Sequence, residues 1–245
     1  MNSNEYKVLI TTSGTGSRLG VLTENTNKAL VLISGKVTID YLISRYPPDV
    51  AFVITIGYLG DKVRDFLISN YPERKFEFVK VDKYEGSGSS LGYSMLSAKE
   101  KLQCPFIFQV CDTIVVEKIP VPEKNWIGGF VVAKDNTDLQ LDQYRTHKVS
   151  GGEVIKINDK GILDFDSIHI GLVGINDYKG FWKTLEELYK SNPGNSRLSD
   201  VHVEDRMLQN GSHFEWLPFS IWLDTGTLEA VKKASEYFSK HSKKK

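Results

Sequence analysis

The sequence predicts an α/β fold built on a mainly parallel sheet with helices on both faces. Three observations carry this. Apolar runs at 8–12, 51–56, 76–81 and 106–110 alternate with segments of helical spacing, and strands separated by helices pair in parallel. The first run feeds directly into a glycine-rich loop. No Pro- or Ser-rich linker divides the 245 residues, a length that suits one large domain.

Taken in order, 8–12 is the first strand. A helix follows Gly35, with Ile39, Leu42, Ile43 and Tyr46 on one stripe, and 51–56 is the second strand. Asp61 is placed to cap the next helix, whose Val63, Phe66 and Leu67 share a face. The third strand is 76–81. After the small-residue cluster 85–90, Leu91, Met95, Ala98 and Leu102 recur at helical spacing, and 106–110 ends at Cys111-Asp112. The second half is more mixed, with strands at 127–133, 152–157 and 168–175 and a turn at Asp159-Lys160-Gly161. Helices are expected at 181–189 and 198–209, a strand at 216–222, and a closing helix at 228–238 capped by Thr227.

Composition narrows the function classes. Lys plus Arg equals Asp plus Glu at 31 each, so no global field draws nucleic acid or an anionic membrane. The start MNSNEYK lacks a signal-type apolar stretch, and no run approaches the roughly 20 apolar residues of a membrane span. These features predict a cytoplasmic protein with a lysine-rich flexible tail at 239–245. Cys104 and Cys111 match neither a redox pair nor a zinc knuckle, and on one strand they would face opposite sides. The five histidines show no i, i+4 metal pairing and read as surface or ordinary buried residues.

The loop is Thr12-Ser13-Gly14-Thr15-Gly16-Ser17-Arg18, with Lys28 a short polar segment later. Small residues let backbone N–H groups face a polyphosphate, and the two cations suit charge that moves through phosphate oxygens. Gly14, Gly16 and Gly20 are a near miss to the dinucleotide fingerprint, but no helical periodicity follows and the second strand ends in Gly57-Tyr58 rather than an acid. No Gly-Lys-Ser/Thr closes a Walker loop. A glycine-rich turn without a ligand stays open on the loop alone.

Asp112 follows the strand IFQV and should stand at the carboxyl edge of the sheet, where open α/β sheets bind ligands. An acid there can hold Mg²⁺ against phosphates, or simply cap a turn. Asp224 also ends an apolar segment, so two strand-end carboxylates can share a metal. Capping of the last helix is the competing role, and Thr227 already fills that place. The small residues at 85–90 can meet a base or ribose, or form a plain loop.

Gly14-Thr15-Gly16-Ser17-Arg18-Leu19, followed by Leu22-Thr23-Glu24-Asn25-Thr26-Asn27-Lys28-Ala29-Leu30, resembles the signature of the sugar-phosphate nucleotidyltransferases. Gly88-Ser89 sits where that family keeps its base-contacting glycine and Asp112 where it keeps its first metal aspartate. Trp222 through Thr227 looks like its second metal motif, and Leu198-Ser199-Asp200-Val201 like the helix start before its last strands. The resemblance spans roughly residues 6–238, with the motifs in family order.

It implies a Rossmann-like three-layer α/β/α sandwich around a mixed, mainly parallel sheet, with 6–111 holding the nucleotide and 112–238 the acceptor. It also implies a reaction in which an acceptor phosphate oxygen attacks the α-phosphorus of a nucleoside triphosphate and pyrophosphate leaves. Asp112 and Asp224 would bind Mg²⁺, Arg18 would neutralise the pyrophosphate, and Lys28 would stabilise charge at the α-phosphate. Residues 12–18 with Gly88 and Ser89 would hold the nucleotide. The partners implied are a nucleoside triphosphate and a phosphorylated small molecule, and the resemblance admits a homo-oligomer.

Several residues depart from the family pattern. Thr12-Ser13 replaces two small residues, which puts two hydroxyls near the base or phosphates. Asn27 replaces a proline before Lys28, which predicts a less rigid lysine. Asp159-Lys160-Gly161 replaces the acceptor-side Glu-Lys-Pro, leaving Lys160 to meet the acceptor phosphate. Gly171 matches a strand glycine that faces the sugar, though close strand packing would demand the same residue. A sugar 1-phosphate acceptor follows, with a phosphocholine-like acceptor or a non-catalytic sensor as alternatives.

Overall fold

The computed structural model describes residues 6–132 and 140–241. The amino terminus at 1–5, Ala133 at the end of one expected strand, and the tail from 242 lie outside the described residues.

Strand β1 (Lys7–Thr11) shows why an apolar run becomes a buried strand. Val8 and Ile10 enter one core, Leu9 enters the other, and all three are fully buried. Alternation on a strand covered on both faces demands apolar residues throughout, and each such burial contributes about 1.5–3 kcal/mol. Strands β4 (Ala51–Ile56), β5 (Phe76–Lys80) and β6 (Phe106–Val110) join β1 in parallel, in the order β5-β4-β1-β6. Helices α1 (Thr38–Ile43), α2 (Gly60–Asn70) and α6 (Leu228–His241) bury their apolar stripes in one core. Helices α3 (Leu91–Ser97), α4 (Tyr178–Ser191) and α5 (Asp200–Gln209) fill the other. The result is the expected three-layer arrangement.

The remaining strands of the main sheet are β8 (Trp126–Phe130), β9 (Thr146–Ser150), β10 (Glu153–Asn158), β11 (Ser167–Ile175) and β12 (Glu215–Phe219). The nine-stranded order is β5-β4-β1-β6-β11-β8-β12-β10-β9, with β11 also pairing β9. The sheet is mixed as expected, with parallel pairing concentrated in the first half and antiparallel pairing dominating beyond β6. Strand β11 bends at Gly171, whose φ is +67°, and pairs β6 beyond the bend and β9 before it. A Cβ on Gly171 would lie 2.5 Å from Val110 Cγ2. Close packing and a positive φ therefore account for this glycine.

Three expectations need correction. Asp61 does not cap α2; it lies in the first turn and pairs with Arg64 at 2.8 Å, while left-handed Leu59 starts the helix. The helical spacing from Leu91 to Leu102 divides into α3 and a 3₁₀ turn at Lys99–Lys101. The strand expected at 216–222 breaks after β12, because Glu117 Oε1 accepts hydrogen bonds from the N–H groups of Ser220 (2.7 Å) and Ile221 (3.0 Å). Beyond the break, β13 (Trp222–Asp224) pairs antiparallel with β7 (Thr113–Val115), and Asp224 stands opposite Thr113. A small hairpin of β2 (Leu32–Ile33) and β3 (Lys36–Val37) had no clear sequence signal, since Leu32 is largely exposed. Among the described residues, no helix is long and apolar enough to cross a membrane.

Candidate functional site

The chain order reverses between β1 and β6, and Thr11 pairs with Val110 at their carboxyl ends. That switch point opens the crevice in which α/β sheets bind ligands. The loop after β1 and Asp112 after β6 line a cavity of about 270 Å³ there, together with Lys28, Tyr84 and Gly226. Residues 14–18 all reach its wall. Gly16 has φ +69°, and a Cβ on it would stand 3.1 Å from both Lys28 Cβ and Thr23 Cγ2. Only glycine lets the loop close this tightly over the lysine turn.

Two readings of the loop change. The Thr12 hydroxyl is buried and donates to the Thr55 carbonyl at 2.7 Å, and Ser13 Oγ lies 2.9 Å from Ser94 Oγ, so neither hydroxyl turns to the cavity. Asn27 does not loosen Lys28. Its buried amide donates to the carbonyls of Thr12 (2.9 Å) and Tyr58 (2.6 Å), and its Oδ1 accepts from the Ala29 N–H at 2.9 Å. Three hydrogen bonds hold the residue before Lys28 where a proline would otherwise restrict it. Gly88 and Ser89 line neither cavity described here; Ser89 closes a turn onto Gly86, and Ser90 caps α3. Tyr84, which does reach the wall, had no sequence signal.

Asp112 and Asp224 come together through the β7–β13 ribbon, braced by a hydrogen bond from the Thr225 N–H to the Asp112 carbonyl at 2.9 Å. A Cβ on Gly226 would lie 3.3 Å from Asp112 Oδ2, 3.1 Å from Asp224 Oδ1 and 3.0 Å from Arg18 Nη2. Asp224 is held from both sides, by the Gly226 N–H on Oδ1 at 2.7 Å and the Tyr144 hydroxyl on Oδ2 at 2.9 Å. Thr227 caps α6 through the Ala230 N–H, so Asp224 is not needed there. Burial, and then the nearby Asp112 charge, raise Asp224 above the ordinary aspartate range. Arg18 reaches Asp112 Oδ2 at 3.6 Å, an exposed contact that adds little stability. Two crowded carboxylates facing a space next to phosphate-binding groups form a donor set that fits a divalent cation such as Mg²⁺.

Arg18 and Asp224 also line a second cavity of about 620 Å³, bounded by α6 and by Gln140, Tyr144 and Lys160. Lys160 therefore shares a cavity with Asp224. Asp159 does not line this cavity; it is exposed and lies 3.5 Å from Arg145 Nε. Gly171 is spent against Val110 and is not on this wall. Phe130, Tyr144 and Trp222 supply aromatic surface, with ring centroids 5.3 Å apart for Tyr144–Trp222 and 5.6 Å for Phe130–Trp222. Tyr144 sits in a polar segment with no periodicity, so sequence reasoning missed it.

Two of the histidines are packed into the interior of the second half. His147 and His169 are buried neighbours, and His169 meets Asp200 and Glu204 of α5. Burial pushes His147 well below its ordinary range, and burial with the Asp200 charge pushes Glu204 well above its own. The partners come from different elements, so no local spacing could reveal them.

No family model matches the chain. It is 23% identical over 249 residues to the bifunctional protein GlmU of Methanococcus vannielii, an alignment covering 95% of this chain and 55% of that protein. The chain spans about half the length of the curated relatives it matches. A UDP-glucose pyrophosphorylase solved with UDP-glucose superposes with a TM-score of 0.77 at 17% identity, covering 97% of this chain and 99% of that one. The CTP:phosphocholine cytidylyltransferase of Streptococcus pneumoniae superposes with a TM-score of 0.70 at 20% identity, covering 96% and 99%. The chain therefore has the Rossmann-like fold of the sugar-phosphate nucleotidyltransferases that its motifs resemble.

Proposed function

We propose that the protein is a divalent-metal-dependent nucleotidyltransferase that moves a nucleoside monophosphate from a triphosphate to a phosphorylated acceptor, most simply a sugar 1-phosphate. The observation that carries this reading is the convergence of Asp112, Asp224 and Arg18 on Gly226, between two cavities that both include Arg18. The smaller cavity, with loop 14–18 and Lys28, suits the triphosphate. The larger, with Lys160, suits the acceptor. On this reading 6–111 would hold mainly the nucleotide and 112–238 mainly the acceptor.

In the proposed reaction an acceptor phosphate oxygen forms a bond to the α-phosphorus, the bond from that phosphorus to the bridging oxygen breaks, and pyrophosphate leaves with the electron pair. No proton transfer and no protein nucleophile is needed. Asp112 and Asp224 would hold the divalent ion, which supplies charge neutralisation at phosphate oxygens when bound. Lys28, fixed by Asn27, offers its ammonium to charge growing at the α-phosphate, and Arg18 offers its guanidinium to the leaving group. Tyr144 orients Asp224, and Lys160 draws in the acceptor phosphate. Triphosphate supply favours a cytoplasmic setting.

A second acceptor reading rests on Phe130, Tyr144 and Trp222 in the larger cavity. Aromatic faces attract quaternary ammonium groups, and one structural neighbour is a phosphocholine cytidylyltransferase. Pyrophosphate release across a matrix of triphosphates with sugar 1-phosphates and phosphocholine-type acceptors tests both readings. Release with one class of acceptor chooses between them. Tight triphosphate binding without added metal, and no release with any pair, would instead make the protein a sensor.

A further inference from the structure

The second half of the chain contains a buried polar cluster that the transfer reading does not use. Trp216 Nε1 donates to Ser167 Oγ at 3.1 Å, and Ser167 Oγ lies 3.1 Å from His147 Nδ1. His147 Nε2 lies 3.0 Å from His169 Nδ1, and His169 Nε2 lies 3.2 Å from Asp200 Oδ2. Glu204 Oε2 stands 3.8 Å from His169 Nδ1. Asp200 and Glu204 are one turn apart on α5, so both carboxylates meet His169 on the facing strand β11.

Glu204 is the anomaly in this cluster. It is 0% exposed, and among the described residues neither of its carboxylate oxygens has a hydrogen-bond partner. Buried polar groups in folded proteins are almost always hydrogen-bonded, so a fully buried carboxyl without such a bond calls for an explanation. His169, Asp200 and Glu204 each present one ligand atom, and these atoms lie within 4.8 Å of one another. Arg145, whose charge favours the ionised form of Glu204, is also engaged with Asp159.

We propose that His169, Asp200 and Glu204 bind a divalent transition ion of the zinc class, clamping α5 to β11. An imidazole with two carboxylates selects such an ion, whereas the all-oxygen pair Asp112 and Asp224 suits Mg²⁺. The 3.2 Å between His169 Nε2 and Asp200 Oδ2 fits two donors on one ion at bond lengths of about 2.0–2.2 Å. Glu204, whose ligand atom lies within 4.8 Å of the other two, would complete the set by turning its carboxylate toward that ion. Binding at Nε2 leaves the His169 proton on Nδ1, where it donates to His147 Nε2, and His147 Nδ1–H then donates to Ser167. This outer chain fixes the tautomer in the way metal-bound histidines require.

The test is a Zn²⁺ titration of the chelator-stripped protein in saturating Mg²⁺, for wild type, Glu204→Gln and Asp200→Asn. Wild type should take up one equivalent, with affinity lost in both variants by more than the 10–100-fold that outer-shell partners cost. Pulsed EPR of Cu²⁺-loaded wild type reads imidazole coordination without any variant and should show nitrogen modulation, so the test stands even if Glu204→Gln fails to fold. An equivalent that the variants bind equally well, or no imidazole-bound ion in wild type, overturns the site.

Discussion

Asp112 and Asp224 converge on the space beside Gly226, where a single added carbon would stand 3.3 Å from one carboxylate and 3.1 Å from the other. They are brought there by the β7–β13 ribbon, in which Asp224 pairs with Thr113. If this is where a divalent ion meets phosphate, Asp112→Asn and Asp224→Asn should each lower turnover by about 10²-fold or more. Steady-state kinetics at saturating metal checks this, and wild-type rates in either variant would remove that residue from the site.

Gly226→Ala tests the space rather than the charges. The nearest atoms the new methyl group would meet are the ends of the Arg18, Asp224 and Asp112 side chains. Thermal unfolding should therefore change little, while the metal concentration for half-maximal rate rises by about tenfold, within the range that disturbed metal sites lose. Unchanged metal dependence would mean that the ion sits elsewhere.

Acid should weaken metal use earlier than ordinary aspartates allow. Burial and the Asp112 charge raise Asp224 above its usual 3.8, so protonation removes a ligand at a pH where a free aspartate is still ionised. Without metal the sign for stability is opposite. The folded state holds the Asp224 proton more tightly than the unfolded chain, so this contribution is present at low pH and lost as pH rises through the folded value. Urea titrations across this window should show that loss, with added Mg²⁺ restoring stability on the alkaline side. A flat profile with and without metal would contradict the coupling.

Asn27→Ala removes three hydrogen bonds around the Lys28 turn, two of them buried. Buried acceptors left unpaired cost roughly 1–3 kcal/mol, so urea unfolding should show a loss of that size. Turnover should fall as well, because Lys28 loses its anchor. An equally stable, equally active variant would return Asn27 to the role of a loose substitute for proline.

Lys160→Ala addresses the acceptor side. Lys160 lines the larger cavity with Asp224 but makes no contact with the smaller one. The expected result is an acceptor KM raised about tenfold with kcat nearly intact, the signature of lost uniform binding. An unchanged acceptor KM would show that the turn after β10 does not meet the acceptor.

The nucleotide half was legible in sequence because its chemistry is local. Apolar runs such as Val8 to Ile10 announce strands, and the loop that follows stands next to the strand that delivers it. Asp112 was legible for the same reason, as it ends a strand. The sequence did not reveal what distant elements assemble. Tyr144 reaches Asp224, Glu117 turns the chain at Ser220, and α5 brings Asp200 and Glu204 to His169 only through packing. Asn27 was misread because two of its three hydrogen bonds depend on distant carbonyls, those of Thr12 just after β1 and of Tyr58. The hydroxyls of Thr12 and Ser13 were misread because the facing strand and α3 take them up first.

In the proposed reaction, phosphate from an acceptor meets the α-phosphorus of a triphosphate at the Asp112–Asp224 pair. Phosphorus NMR of the wild-type protein with Mg²⁺, a nucleoside triphosphate and its matched phosphorylated acceptor tests this most directly. The account predicts equal amounts of pyrophosphate and of a new diphosphate-bridged product, both abolished in Asp224→Asn. Release of inorganic phosphate and nucleoside diphosphate instead, or an intact triphosphate with every acceptor from folded protein, would contradict it.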